Sequence, residues 1–245
     1  GAPGWTFESV GMDMRHFQET GAAFVHQLHG DPLPRMIWSS NASKLAAATM
    51  FTLFFGGNDF TPRTLIAGEP AQEFLQRHYI DAMVQVAKTL KGLPNVVGFE
   101  SMNEPVEGYI GMSDLNQRYT LINQGVIPTP FESMQLGAGV PLELNSWEEG
   151  IFGPISVGKG IVNPDRLLAW ESADRDVWRD HGVWDFDSQG KPGLLKANHF
   201  SHVNGRAVDF NRDHYVPFNN RFAKAIRTIQ PETIIFVEKG FRNSG

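Results

Sequence analysis

Gly98-Phe99-Glu100-Ser101-Met102-Asn103-Glu104-Pro105 is the stretch on which the reading of this chain turns. The run Asn95 to Ser101 carries Val96, Val97 and Phe99 and reads as a strand. An Asn-Glu-Pro turn follows at once. Pro105 fixes φ there without needing a backbone donor. A carboxylate that ends a rigid strand is well placed for chemistry, because its backbone cannot wander.

The sequence before this strand predicts a helix over 69–90. Pro70 suits its first turn. Phe74, Leu75, Ile80, Met83, Val84, Ala87 and Leu90 recur at spacings of mainly three and four, which makes one apolar stripe. Gly92 and Pro94 supply the stop. Near the other end, an amphipathic helix over 218–229 precedes a short apolar strand, Thr233 to Glu238. Two helix-then-strand units imply a parallel sheet covered by helices. That pattern fits an α/β barrel or a doubly wound sheet. Ser43 to Phe55 is apolar on all sides and predicts a buried helix, stopped by Gly56-Gly57-Asn58-Asp59. Gly1 to Phe7 reads as a loop, and Met12 to Leu28 as partly helical. Between the two units, Val106 to Tyr215 is rich in Gly, Pro, Trp and Asp with little periodicity. A long irregular segment of that kind is usually functional.

Composition narrows the function classes. The 245 residues hold 41% hydrophobic and 20% charged residues and a formal net charge of −6, ordinary for one soluble domain. An acidic balance argues against a nucleic-acid partner, since phosphate binding needs clustered Lys and Arg. There are no cysteines, which removes disulfides and thiol chemistry from this stretch and leans toward an intracellular, reducing compartment. The longest apolar run, Leu45 to Phe55, is shorter than the roughly 20 residues a membrane span needs.

Glu104 is the candidate catalytic residue. Glycoside hydrolysis needs one carboxylic acid beside the leaving oxygen and a second carboxylate across the sugar. Asn103 offers an amide to the sugar 2-hydroxyl and is a candidate substrate-binding residue. Glu238, ending the second strand, is the internal candidate for another carboxylate; a substrate contact or a hydrogen-bonding role at the strand end suits it better than nucleophile. Glu100 cannot partner Glu104 along an extended strand. Four residues at about 3.3 Å each separate them by roughly 13 Å, whereas a retaining pair stands about 5 to 5.5 Å apart. His26-x-x-His29 and His199-x-x-His202 have ligand-like spacings but no clear third ligand, so no metal is expected. Asn41-Ala-Ser43 is a formal glycosylation sequon. Trp147, Trp170, Trp178 and Trp184 are candidates for a sugar platform, with core packing as the alternative.

The segment from Gly98 to Pro105 resembles the fourth-strand signature of glycoside hydrolase family 5. Gly1 to Phe7, Met36 to Trp38, Ala48 to Phe55, His181 to Trp184 and Ile234 to Glu238 are similar to its fungal glucosylceramidase and ergosteryl-β-glucosidase branch, relatives of the endoglycoceramidases. The resemblance implies a (β/α)8 barrel, hydrolysis of β-glucosides with retention, no cofactor and no metal. It implies that Glu104 is the acid/base and that the nucleophilic glutamate follows the seventh strand. No His-x-Tyr strand end lies between Glu104 and Glu238, so Thr233 to Glu238 reads as the fifth strand. The expected chain is therefore a truncated barrel in one domain, residues 1–245, running from the third-strand loop to the fifth strand with a long insertion after the fourth. Its nucleophile is expected beyond residue 245. The expected substrate is a glucolipid, glucosylceramide or a steryl glucoside, with transient contact at a membrane surface. The alternative is a non-catalytic carbohydrate- or glycolipid-binding protein on the same scaffold.

Overall fold

In a computed structural model, residues 3–25, 38–120 and 123–239 are described. The His26/His29 pair and the Met36-Ile37 part of the resemblance lie outside them. The elements that position the candidate site are α1 (Leu45–Phe60), α2 (Ala71–Thr89), β1 (Gly98–Glu100), α3 (Pro130–Gly137), β2 (Leu142–Gly150), β3 (Gly153–Val162), α4 (Val177–Asp180), α5 (Val216–Arg227) and β4 (Ile234–Phe236).

The two helix-then-strand units form as the sequence predicts, and they lie side by side. β1 and β4 pair in parallel, with Gly98 opposite Ile234, Phe99 opposite Ile235 and Glu100 opposite Phe236. Gly98 is required there, because the Ile234 carbonyl occupies the space a Cβ would fill. The helices preceding the strands pack on one another. Arg221 of α5 donates to Glu73 of α2 at 2.6 Å, and Gln230 Nε2 donates to the Ala87 carbonyl at 3.0 Å.

Beneath both lies α1, buried as its all-round apolar sequence demands. Phe54 and Phe55 meet Tyr79 and Phe218 edge-on, with ring centroids 5.0 to 5.7 Å apart. Such pairs add to the burial of large aromatic surface. The helix does not stop at Gly56, as expected; it kinks there (φ −131°) and runs a further turn to Phe60. Phe60 is fully buried, and its burial outweighs the poor helix propensity of the glycines.

Other expectations shift in the same way. The N-terminal segment is not all loop: Gly4–Ser9 is a helix, with the Thr6 N–H and hydroxyl both donating to the Pro3 carbonyl. Pro70 precedes α2 as its N-cap rather than lying inside it. The long middle segment is more regular than expected. α3 opens with a capping box, Thr129 and Glu132 each satisfying the other's backbone N–H, and Pro130 stands at its start. β2 and β3 form a long hairpin. β3 is mostly solvent-exposed and glycine-rich and β2 is mostly half-buried along its length, so neither shows the alternation that marks a strand with one buried face.

The architecture is mixed α/β. Among the described residues the strands form five small sheets, none closed, and β1–β4 is the parallel one. No described helix is long and apolar enough to cross a membrane.

Candidate active site

Glu104 lies four residues beyond Glu100, the last residue of β1, and the turn that carries it is anchored on both sides. Upstream, the Ser101 N–H donates to the Phe236 carbonyl at 3.1 Å, extending the β1–β4 ladder by one residue. The Ser101 carbonyl accepts from the Tyr79 hydroxyl of α2 at 2.9 Å. Downstream, Pro105 to Ile110 are buried against α1. The Tyr109 N–H donates to Thr52 Oγ1 at 2.8 Å, and Gly108 (φ +61°) sits where a Cβ would strike the Ala48 carbonyl and Thr52. Only glycine combines that dihedral with that approach.

Between the anchors the backbone is strained. Glu104 adopts φ +47°, in the left-handed region. For a non-glycine residue this costs about 1–2 kcal/mol, and such outliers gather at functional sites. The Glu104 N–H donates to Glu238 Oε2 at 2.6 Å. Glu104 is half-buried and Asn103 is exposed.

Parallel pairing brings together residues that sequence reasoning kept apart. Glu238 lies two residues past Phe236, the partner of Glu100, so both glutamates stand at the same end of the sheet. Their carboxyls are neighbours. Burial first, and then the neighbouring Glu238 carboxyl, raise Glu100 above the ordinary carboxylate range. Tyr79 and Tyr215 border the pair. Burial raises both phenols, as does the nearby Glu100 charge. Glu100 therefore partners Glu238, which the distance argument along its own strand had no means of finding. The sequence shows two glutamates at the ends of two apolar runs; only the register reveals that they meet.

The other candidates go elsewhere. Trp170, Trp178 and Trp184 are almost fully buried and belong to the core. Trp147 is partly exposed and carries the Arg118 guanidinium 4.0 Å above its ring. His199 Nε2 lies 2.9 Å from the Phe60 carbonyl, and burial lowers its pKa. Among the described residues no three His, Asp or Glu side chains gather as metal ligands. Asn41 of the sequon is engaged on both sides of its amide by the Phe24 backbone, at 2.7 and 3.1 Å. Two surface cavities, about 200 and 340 Å³, lie at the α2–α5 seam and beside the Asp185–Leu195 hairpin; neither is lined by Asn103, Glu104 or Glu238.

No protein-family model matches the sequence. The chain is nevertheless similar, over almost its whole length, to fungal glycosidases of the glucosylceramidase kind. It is 41% identical to a glucosylceramidase of Rhizopus delemar over 97% of this chain and 36% of that protein. It is 33% identical to an ergosteryl-beta-glucosidase of Saccharomyces cerevisiae, again over 97% of the chain and 36% of the relative. Among solved structures, Cryptococcus neoformans sterylglucosidase 1 superposes with a TM-score of 0.88 at 31% identity, covering 98% of this chain and 38% of that one. The chain spans about a third of the length of the curated relatives it matches.

Proposed function

We propose that this chain is the acid/base-bearing part of a retaining β-glucosidase acting on lipid-linked glucose, with glucosylceramide or a steryl glucoside as substrate. Glu104 protonates the departing glycosidic oxygen and then deprotonates the incoming water. Asn103, exposed beside it, binds the sugar 2-hydroxyl. The observation that carries the reading is the strained, doubly anchored backbone of Glu104 at the C-terminal end of a parallel strand. Ala67, Asn163, Arg166 and Asn204 also hold positive φ, so it is the pairing of that conformation with the Glu238 hydrogen bond at the strand end that sets Glu104 apart.

The names of the relatives support the substrate class. The fold supports a (β/α)8 barrel in which β1 is the fourth strand, β4 the fifth, and residues 1–245 are part of one domain. Phe99 lies in the hydrophobic core and Ile235 packs against it. On the other face, Ile234 and Phe236 are half exposed, as expected of side chains that other strands cover in a closed barrel. The nucleophile comes from outside this chain. Glu238 is committed to the Glu104 N–H and to Glu100, which suits a supporting residue and not a free nucleophile.

The test is Glu104→Gln in the full-length protein, assayed on glucosylceramide and on a steryl glucoside. The expected loss in kcat is about 10²- to 10⁴-fold. A 2,4-dinitrophenyl β-glucoside, whose leaving group needs no proton, should lose far less in the glycosylation step. Hydrolysis of the lipid glucosides at near wild-type rate would reject the assignment.

A further inference from the structure

We propose that Glu238 is a positioning residue for Glu104: its carboxylate accepts the Glu104 N–H and holds the acid/base in its left-handed backbone conformation. The proposal rests on the reading of Glu104 given above, and adds to it a residue that acts through Glu104.

Three observations converge. The bond is short, 2.6 Å from the Glu104 nitrogen to Glu238 Oε2, as charge-assisted hydrogen bonds are. It falls on the residue whose backbone is strained, φ +47°, and the strain persists only if something outside the turn opposes relaxation. The acceptor is carried by the neighbouring parallel strand, whose register with β1 places it at the strand end.

The groups facing Glu238 keep it suited to that task. Glu100 of β1 neighbours it, and its pKa is raised by burial and by the Glu238 carboxyl. Tyr215, in the π-helical turn before α5, is pushed away from ionisation by burial and by the Glu238 and Glu100 charges. Tyr79 of α2 is likewise raised.

The experiment compares Glu238→Ala, Glu238→Gln and Glu238→Asp in the full-length protein on two substrates. One is an alkyl β-glucoside, whose leaving group needs a proton. The other is 2,4-dinitrophenyl β-glucoside, which does not. Alanine should lower kcat on the alkyl glucoside about 10- to 100-fold, the scale of a displaced catalytic group, with KM within about threefold. The glycosylation step on the dinitrophenyl substrate should stay near wild type. Glutamine, whose Oε1 still accepts an N–H, should restore kcat to within about threefold. Aspartate, one methylene short, should match the loss of alanine, and serves in its place if the alanine variant does not fold. A wild-type kcat for alanine or aspartate overturns the proposal, as does a glutamine variant as slow as alanine. If Glu104→Gln itself leaves the alkyl glucoside rate unchanged, the acid/base reading has failed instead.

Discussion

Asp176 is the N-cap of α4 and is almost fully buried. Its Oδ1 accepts from the Trp178 N–H at 2.9 Å and the Arg179 N–H at 3.3 Å. Burial raises its pKa from 3.8 to about 7, against the lowering effects of those two N–H groups and of the Arg179 charge; the Asp185 charge adds to the rise. The shift spans about 3 pH units, and at 1.36 kcal/mol per unit corresponds to about 4 kcal/mol. The native state binds this proton more tightly than the unfolded chain. The stability it contributes is therefore fully present below about pH 4 and is lost as pH rises toward 7. Asp176→Asn keeps an oxygen for the cap and cannot ionise. Its stability relative to wild type should improve by up to about 4 kcal/mol between pH 4 and pH 8. His181, His199 and His214, all lowered by burial, work with the opposite sign, losing stability as pH falls below about 6.5. They are common to both proteins and cancel in the difference. Denaturant unfolding read by tryptophan fluorescence at pH 4, 6 and 8 measures it. Curves that stay parallel within about 1 kcal/mol would refute an Asp176 that titrates near neutrality.

Gly108→Ala should cost more than about 2 kcal/mol, since it sets a methyl group against the Ala48 carbonyl at a left-handed φ, and should lower kcat by shifting the turn that carries Glu104; melting temperature and kcat on a lipid glucoside check both. Phe55→Ala removes a fully buried ring that meets Phe54, Phe210, Tyr215 and Phe218, and should destabilise by about 3–5 kcal/mol in denaturant unfolding.

The two helix-then-strand units were legible because their signals are local. The α2 stripe at spacings of three and four, and the apolar strands that follow, need no knowledge of the rest of the chain. The buried α1 was legible from uniform apolarity, but its end was not. Gly56 and Gly57 carry stop propensity, and the burial of Phe60 by residues distant in sequence overrides it. The capping box at Thr129–Glu132 could have been read from Thr-Pro-Phe-Glu; the surrounding Gly and Pro masked it. The hairpin was less readable, since β3 is exposed on both faces and β2 shows no clean alternation, so the period-two pattern is lost. At the site, Glu104 was visible because its motif is contiguous. The meeting of Glu100 with Glu238 was invisible, because it depends on the register of two strands far apart in sequence.

That difference says how the candidate site is built. The Asn103-Glu104 turn has few contacts of its own; its geometry is borrowed. Tyr79 fixes the entry through the Ser101 carbonyl, Thr52 fixes the exit through the Tyr109 N–H, and Glu238 fixes the strained residue between them. These three come from α2, α1 and the end of β4, and the helices among them share one aromatic core. Loosening that core should therefore reach Glu104 through its anchors before it unfolds the chain. A general acid must sit within hydrogen-bond reach of a leaving oxygen, and an ångström of drift costs about 10²-fold. The strain at φ +47° is what makes the anchors necessary, since a relaxed turn would hold its place with fewer of them.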